Sequence, residues 1–575
     1  MSRVPWKRPA PRKRAPRRVP FIAYDLETTL IPQRRGDDLA VLPRAISFAS
    51  APDSSLFVPC DSFASLRDAL ATAILSAANR TRFVAWNGNR FDARLVLLAL
   101  RGDERFVLRP YMTRSKMIRG LRIETFRDGE KHSVEFLDGM AMLGQSCTLA
   151  EFLQRYAPEL PKLSIDWSRE VFDSANPAHI AYARRDVEGL YLALERAFSE
   201  LRDLTGLEPR ATIGAVGIRF LTASLPEAVQ VWPDPPCVED WLERSGMRGG
   251  WVCSRRYHGP LWQYDLNQAY AAALRYDEYP YGGGSYTRAW RDAPGVWLVD
   301  LSRVSPALIP FYVRDYATQA AHETDGREAV RCVLLSCEVR MLREFGWSVE
   351  VIEGYAWRGA FSVSGMVDSL EVMRANAPGG PNGPRGAMVK AIGCNMYGKT
   401  VERPENIELV YAATRPKGFR PAHGTDVVPY LWESDSVRDK ARPYHRRSFG
   451  ATITAVVRCM TYRAAMLAPV AFVKADTDSV AFSRPVDLPL SPTRYGDWKV
   501  EYEGIDAIVM AKKMYATASG TVRAKGLPRK QLRYADFEAW YQRGIVPERD
   551  VVQLLGITKM DEANQYKILK RRAER

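Results

Sequence analysis

The sequence predicts a multidomain chain of mixed α/β and α+β class, and three observations lead there. Its 575 residues are about four times the ~150 that serve as a prior for one domain. Short apolar strands alternate with helical periodicity as far as about residue 205, the pattern of an α/β domain. The Pro-rich stretch from Pro226 to Pro236 then reads as a linker to a second half of strands, glycine turns and one strongly helical run. With 46% hydrophobic and 11% aromatic residues, wholesale disorder is excluded.

Charge narrows the partner. The 82 Lys and Arg against 67 Asp and Glu leave +15, which favours a polyanion such as nucleic acid. Residues 1–20 hold eight basic residues, five prolines and no acid. They read as a flexible basic arm that touches phosphates or serves as an address, or as a solubilising tail. No apolar run approaches the ~18–20 residues of a membrane span, so no membrane partner is expected. Eight cysteines without a C-x-x-C pair suit a reducing cytoplasm. With six scattered histidines, any metal chemistry must rest on carboxylates and hard cations, magnesium first.

The first half opens with the strand Phe21-Ile22-Ala23-Tyr24, followed directly by Asp25-Leu26-Glu27. Residues i and i+2 of a strand share a face, so both carboxylates project together at a strand end. A divalent cation relieves their repulsion; a solvated strand end is the plainer alternative. After a second strand, Arg82 to Trp86, comes Asn87-Gly88-Asn89-Arg90-Phe91-Asp92. A helix over 180–200 carries Tyr182 and Asp186, which share a face at i and i+4. Asp25-x-Glu27, Asn87-x3-Phe91-Asp92 and Tyr182-x3-Asp186 resemble, in order, the three motifs of DEDDy-type 3′–5′ exonucleases. The resemblance implies a proofreading domain in which Asp25, Glu27, Asp92 and Asp186 ligate two metals and Tyr182 orients the attacking water. Asn87 and Phe91 would contact DNA. Lys162 matches a lysine that assists catalysis in protein-primed polymerases; an ordinary surface lysine is the other reading.

In the second half, Asp265 to Tyr270 follows an apolar strand, and Asp476-Thr477-Asp478-Ser479 lies between two apolar stretches as a hairpin turn. Asp265 and Asp478 can meet there in a second two-metal site. Met388 to Gly398 reads as a helix on which Lys390 and Tyr397, seven apart, share a face. Lysine suits a triphosphate and tyrosine a base.

These elements resemble family B DNA polymerases: motif A at Asp265 to Tyr270, motif B at Lys390 to Gly398, motif C at Asp476 to Ser479. Lys513-Met514-Tyr515 matches their primer-contacting Lys-x-Tyr element. The nearer resemblance is to the protein-primed, small-phage branch. Arg248-Gly249-Gly250 stands where that branch has a glycine-pair DNA contact, and Thr454 to Arg458 resembles its Thr-x2-Ala-Arg element. Tyr270 would be the sugar gate that excludes a 2′-hydroxyl, or else a core tyrosine. Arg374 would replace a second triphosphate-binding lysine, and Asp476 would support rather than ligate.

The implied architecture is an RNase H-like exonuclease domain at 21–205 and a right-hand polymerase domain at 206–575. The latter divides into palm (about 250–285 and 448–515), first insertion (about 286–365), fingers (about 366–400), second insertion (about 401–447) and thumb (about 516–575). The implied activity is DNA-directed DNA synthesis with 3′–5′ proofreading, by a monomer working with Mg²⁺ or Mn²⁺, dNTPs and a DNA primer-template. A terminal protein would prime it, and a linear viral or plasmid genome would be copied with strand displacement. A primer-independent relative and a non-catalytic DNA-binding protein with this fold are the alternatives. The sequence departs from the family pattern at Cys394-Asn395 in motif B, where Asn395 would supply a polar group from a shifted position. It departs again at Lys474, where motif C usually begins with tyrosine, and at Met247 before the glycine pair.

Overall fold

The computed structural model describes residues 3–5, 18–32, 39–112, 118–167, 170–223, 225, 234–324, 328–402, 405–406, 408–422, 431–434, 438–439, 446–525 and 532–544. They fall into two compact units, one built on residues up to 216 together with 403–440, the other on 217–402 and 441–552 with the first few residues.

The first unit is organised around a ten-stranded sheet. At its centre Phe21–Pro32 runs parallel to Arg82–Ala85, which runs parallel to Glu130–Asp138, while Leu39–Ala51 pairs antiparallel on the other side. Residues 24–27 alternate buried and half-buried positions, so Tyr24 enters the core while Asp25 and Glu27 face the other way. In that core Phe83 and Phe136 stack at 4.6 Å with Tyr24 edge-on to Phe136. The helix Pro177–Thr205 packs on the sheet. It starts cleanly because the Asn176 side chain accepts from the Ala178 N–H and proline sits in its first turn, and it stops at Gly206 in the left-handed region.

Within the segment expected as the second insertion (about 401–447), the described residues of 403–440 include short strands and belong to the first unit. Leu409–Tyr411, Leu431–Ser434 and Phe419–Pro421 extend the ten-stranded sheet beyond Val107–Met112. Arg109 anchors the junction between Glu124, at 2.9 Å, and Glu408.

The second unit holds a seven-stranded antiparallel sheet, ordered Val522–Ala524, Met514–Thr517, Trp498–Ala511, Tyr257–Leu266, Ser479–Phe482, Phe472–Thr477, Trp251–Ser254. The helix Arg447–Met466 packs against it. A five-stranded sheet centred on Ser348–Ser362 builds the region read as the first insertion. Helices Ser364–Ala375 and Pro384–Asn395 pack together where fingers were expected. The N-terminal arm is not wholly irregular: Arg3–Pro5 pairs in parallel with Ala360 to Ser362. Proline is tolerated on the edge strands of sheets. Residues 6–17 of the arm and 226–233 of the expected linker lie outside the described residues, and Pro236 begins the helix Pro236–Trp241. Among the described residues no helix is long and apolar enough to cross a membrane.

Candidate active sites

Three carboxylates converge in the first unit. One oxygen each from Asp25, Glu27 and Asp186 lies within 4.8 Å of the others. Burial, then the charges of Asp25 and Asp186, push the Glu27 carboxyl well above its usual range, while Lys162 pulls the other way. Such a site holds excess negative charge that a proton or cation relieves. Lys162 supplies one cation: its ammonium pairs with the buried Asp186 and lies 4.5 Å from the centre of the Tyr182 ring. Burial and the Asp186 charge push the Tyr182 phenol up to about 12, so its hydroxyl stays neutral and can orient a water.

Asp92, expected in the same set, begins the helix Asp92–Leu100 and is buried. It stands outside the three-carboxylate group, but its charge acts on Glu27. The loop before it is shaped by Asp138, which sequence reasoning missed. Asn87 takes a left-handed φ of 64°, and the backbone N–H groups of Asn87 and Asn89 each donate to the Asp138 carboxylate at 3.2 Å. Phe91 packs half-buried against the core rather than standing free. Trp167 was also missed: 40% exposed, it meets the Tyr182 ring edge-on at 5.3 Å. An aromatic residue soon after Lys162 was the available signal.

The second unit brings Asp265 and Asp478 together through strand register. Asp265 faces Ser479 across the Tyr257–Leu266 and Ser479–Phe482 pair, and the Leu266 N–H donates to the Asp478 carbonyl at 2.7 Å. Burial, then Asp265, push the Asp478 carboxyl up to about 6. Lys499, directly opposite Asp265 on the neighbouring strand, places its ammonium 2.6 Å from the Asp265 carboxylate. Nothing local in the sequence announced it. Asp476 accepts from the exposed Lys513 at 2.5 Å, consistent with a supporting role.

Tyr270 and Tyr397 stack face to face, with ring centres 4.2 Å apart and planes within 7°. Lys390 is exposed on the helix Pro384–Asn395. In the departing pair, the Cys394 thiol donates to the Gln268 side-chain oxygen, while the Asn395 amide closes on the Ala391 carbonyl of its own helix at 2.8 Å.

Several expected contact residues are buried. Arg248 and Arg458 are 3% and 0% exposed and share Glu338 at 2.8 Å each, so both guanidinium groups are engaged internally. The Thr454 hydroxyl is buried and donates to the Ala451 carbonyl of its own helix. Tyr515 is buried, with the Lys474 ammonium 3.8 Å from its ring centre. Arg374 turns inward, donating to the Pro381 carbonyl at 3.1 Å. Gly249 and Lys513 remain exposed, and Gly250 is half-buried.

The carboxylates are the only donor type in either set, all oxygen, which suits hard divalent cations. The fold that carries these two sites is that of a DNA polymerase. In particular the chain is similar to phi29 DNA polymerase in three solved structures. These are its ternary complex with primer-template DNA and incoming nucleotides (TM-score 0.68, 15% identity, 90% of this chain and 94% of that one), an orthorhombic crystal form (0.69, 15%, 90% and 95%) and a post-translocation binary complex with primer-template DNA (0.68, 16%, 90% and 95%). No family model and no curated relative matches the sequence.

Proposed function

We propose that the chain is a DNA-directed DNA polymerase with a 3′–5′ proofreading exonuclease. The observation that carries the reading is the meeting of Asp265 and Asp478 beside the stacked Tyr270 and Tyr397, in a chain that elsewhere gathers Asp25, Glu27 and Asp186. Asp265 and Asp478 would hold the metals of synthesis; Asp25, Glu27 and Asp186, with Asp92, would hold those of proofreading. Bound Mg²⁺ or Mn²⁺ supplies a lowered pKa to the attacking hydroxyl or water and neutralises charge on the phosphate.

The chain's own residues do the rest. The Tyr270 ring, held flat by Tyr397, walls the space of a nucleotide sugar, and Lys390 offers an exposed cation to the triphosphate. Tyr182 keeps a neutral hydroxyl beside the proofreading carboxylates, and Lys162 holds Asp186 in place. The likeness to phi29 polymerase over 90% of the chain supports priming by a terminal protein and strand displacement within this reading.

Asp478→Ala should abolish primer extension, by about 1,000-fold or more, and leave digestion of single strands intact. Asp25→Ala with Glu27→Ala should do the reverse. Residual synthesis in the first variant, or Mg²⁺-dependent digestion in the second, refutes the corresponding site.

A further inference from the structure

The turn that carries Asp478 is held in a costly backbone. Thr477 has φ 67°, a left-handed conformation that β-branched residues rarely adopt and that persists only when the surroundings impose it. Those surroundings are Gly250 and Trp251. Trp251 pairs with Thr477 in strand register. A Cβ on Gly250 would stand 2.5 Å from Thr477 Cγ2 and 2.7 Å from its Cα, so only glycine permits the approach.

Gly250 is held from behind. Arg458 Nη1 donates to the carbonyls of Arg248 and Gly249, at 2.9 and 2.8 Å. Arg458 Nε donates to Glu338 Oε1 at 2.8 Å, and Arg248 Nη2 donates to the same oxygen at 2.8 Å. The second Glu338 oxygen accepts the Leu335 N–H at 3.0 Å, and Arg248 Nη1 reaches the Tyr312 carbonyl at 2.7 Å. All three charged side chains are buried. Burial pushes the Glu338 carboxyl up, but the two guanidinium groups outweigh it and leave it below its usual range. A buried ion cluster is a weak source of stability, because desolvation cancels much of the attraction. What this one supplies is direction, since each planar guanidinium donates along fixed lines.

We propose that Glu338, on the helix Ser336–Glu344, is a positioning residue for the Asp478 turn, holding Arg248 and Arg458 so that Gly249 and Gly250 press on Thr477. A displacement of that helix, in the region read as the first insertion, then reaches the catalytic turn through three contacts. The kinetic part of the inference rests on the proposed polymerase reading; the structural part does not.

The test uses Glu338→Gln and Arg458→Lys in the full chain. Arg458→Lys keeps the charge beside Glu338 but cannot reach Glu338 and two carbonyls at once, so it folds even where Glu338→Gln does not. Amide hydrogen exchange of residues 474–482 should speed up about tenfold, with residues 23–27 unchanged. The kcat of primer extension should fall about tenfold with little change in the nucleotide KM, and digestion of single strands should be unchanged. Unchanged exchange at 474–482 in a folded variant, or equal acceleration across the whole chain, overturns the proposal. If the unsubstituted chain extends no primer, the polymerase reading fails while the exchange measurement still decides the coupling.

Discussion

Lys162 in the first unit and Lys474 in the second are both largely withdrawn from water, yet their proton affinities move in opposite directions. For Lys162 burial disfavours the charge, but the Asp186 carboxylate in direct contact and the Tyr182 oxygen outweigh it, and the ammonium holds its proton more tightly than usual. For Lys474 burial wins and the pKa falls to about 8. Its nearest acid, Asp476, is already engaged by Lys513, and what Lys474 touches is the face of Tyr515. Burial alone therefore does not set the sign. A carboxylate in contact reverses it, and an aromatic face does not suffice.

The largest effect should come from the paired lysine. Lys162→Met leaves Asp186 buried, 1% exposed, without its cation. The carboxylate cluster then loses that counter-charge. Digestion of a labelled single strand should slow by about 100-fold, while primer extension stays unchanged. A loss below threefold would mean that Lys162 is only a surface lysine.

The unpaired lysine should respond in the other sense. Lys474 binds its proton less tightly folded than unfolded, so between pH 8 and 10.5 the unfolded chain carries more protons. Stability therefore rises with pH across that window, and below it the charged lysine is a cost. Lys474→Met removes a burden of roughly 3 kcal/mol at pH 7 and forfeits about 1–2 kcal/mol of cation–π attraction. Net stabilisation of about 1–2 kcal/mol at pH 7 is expected, measured by denaturant unfolding, and it should vanish above pH 10.5. A destabilised variant at pH 7 would show that the ring contact, not the burial, dominates.

Much of both sites was legible in the sequence because local periodicity places their carboxylates. Asp25 and Glu27 need only a strand, Tyr182 and Asp186 only a helix, and Asp478 only a hairpin turn. Lys499 was not legible: it meets Asp265 through a register between strands 234 positions apart. Asp138 and Glu338 likewise act through pairings that only the folded chain creates. The burial of Arg248 and Arg458 was not legible for a related reason: Glu338, which pairs with both, is distant from each in sequence. The 403–440 segment hid its strands because they are two to four residues long, too short for a period of two to register.

The sharpest test of the comparison is to give Lys474 the partner that Lys162 has. Ser254 is half-buried and lies directly opposite Lys474 across the Trp251–Ser254 and Phe472–Thr477 pair. Opposed side chains on neighbouring antiparallel strands stand about 5 Å apart at Cβ, so a short carboxylate there reaches the ammonium. Ser254→Asp should raise the Lys474 proton affinity toward that of Lys162 and erase the rise in stability between pH 8 and 10.5. The gain at pH 7 should be small, about 1 kcal/mol or less, because the new carboxylate must itself be desolvated. The readout is the slope of unfolding free energy against pH, not its value at one pH. A slope that persists in the folded variant would mean that burial governs Lys474 whatever stands beside it, and that the contrast with Lys162 arises from depth rather than from Asp186.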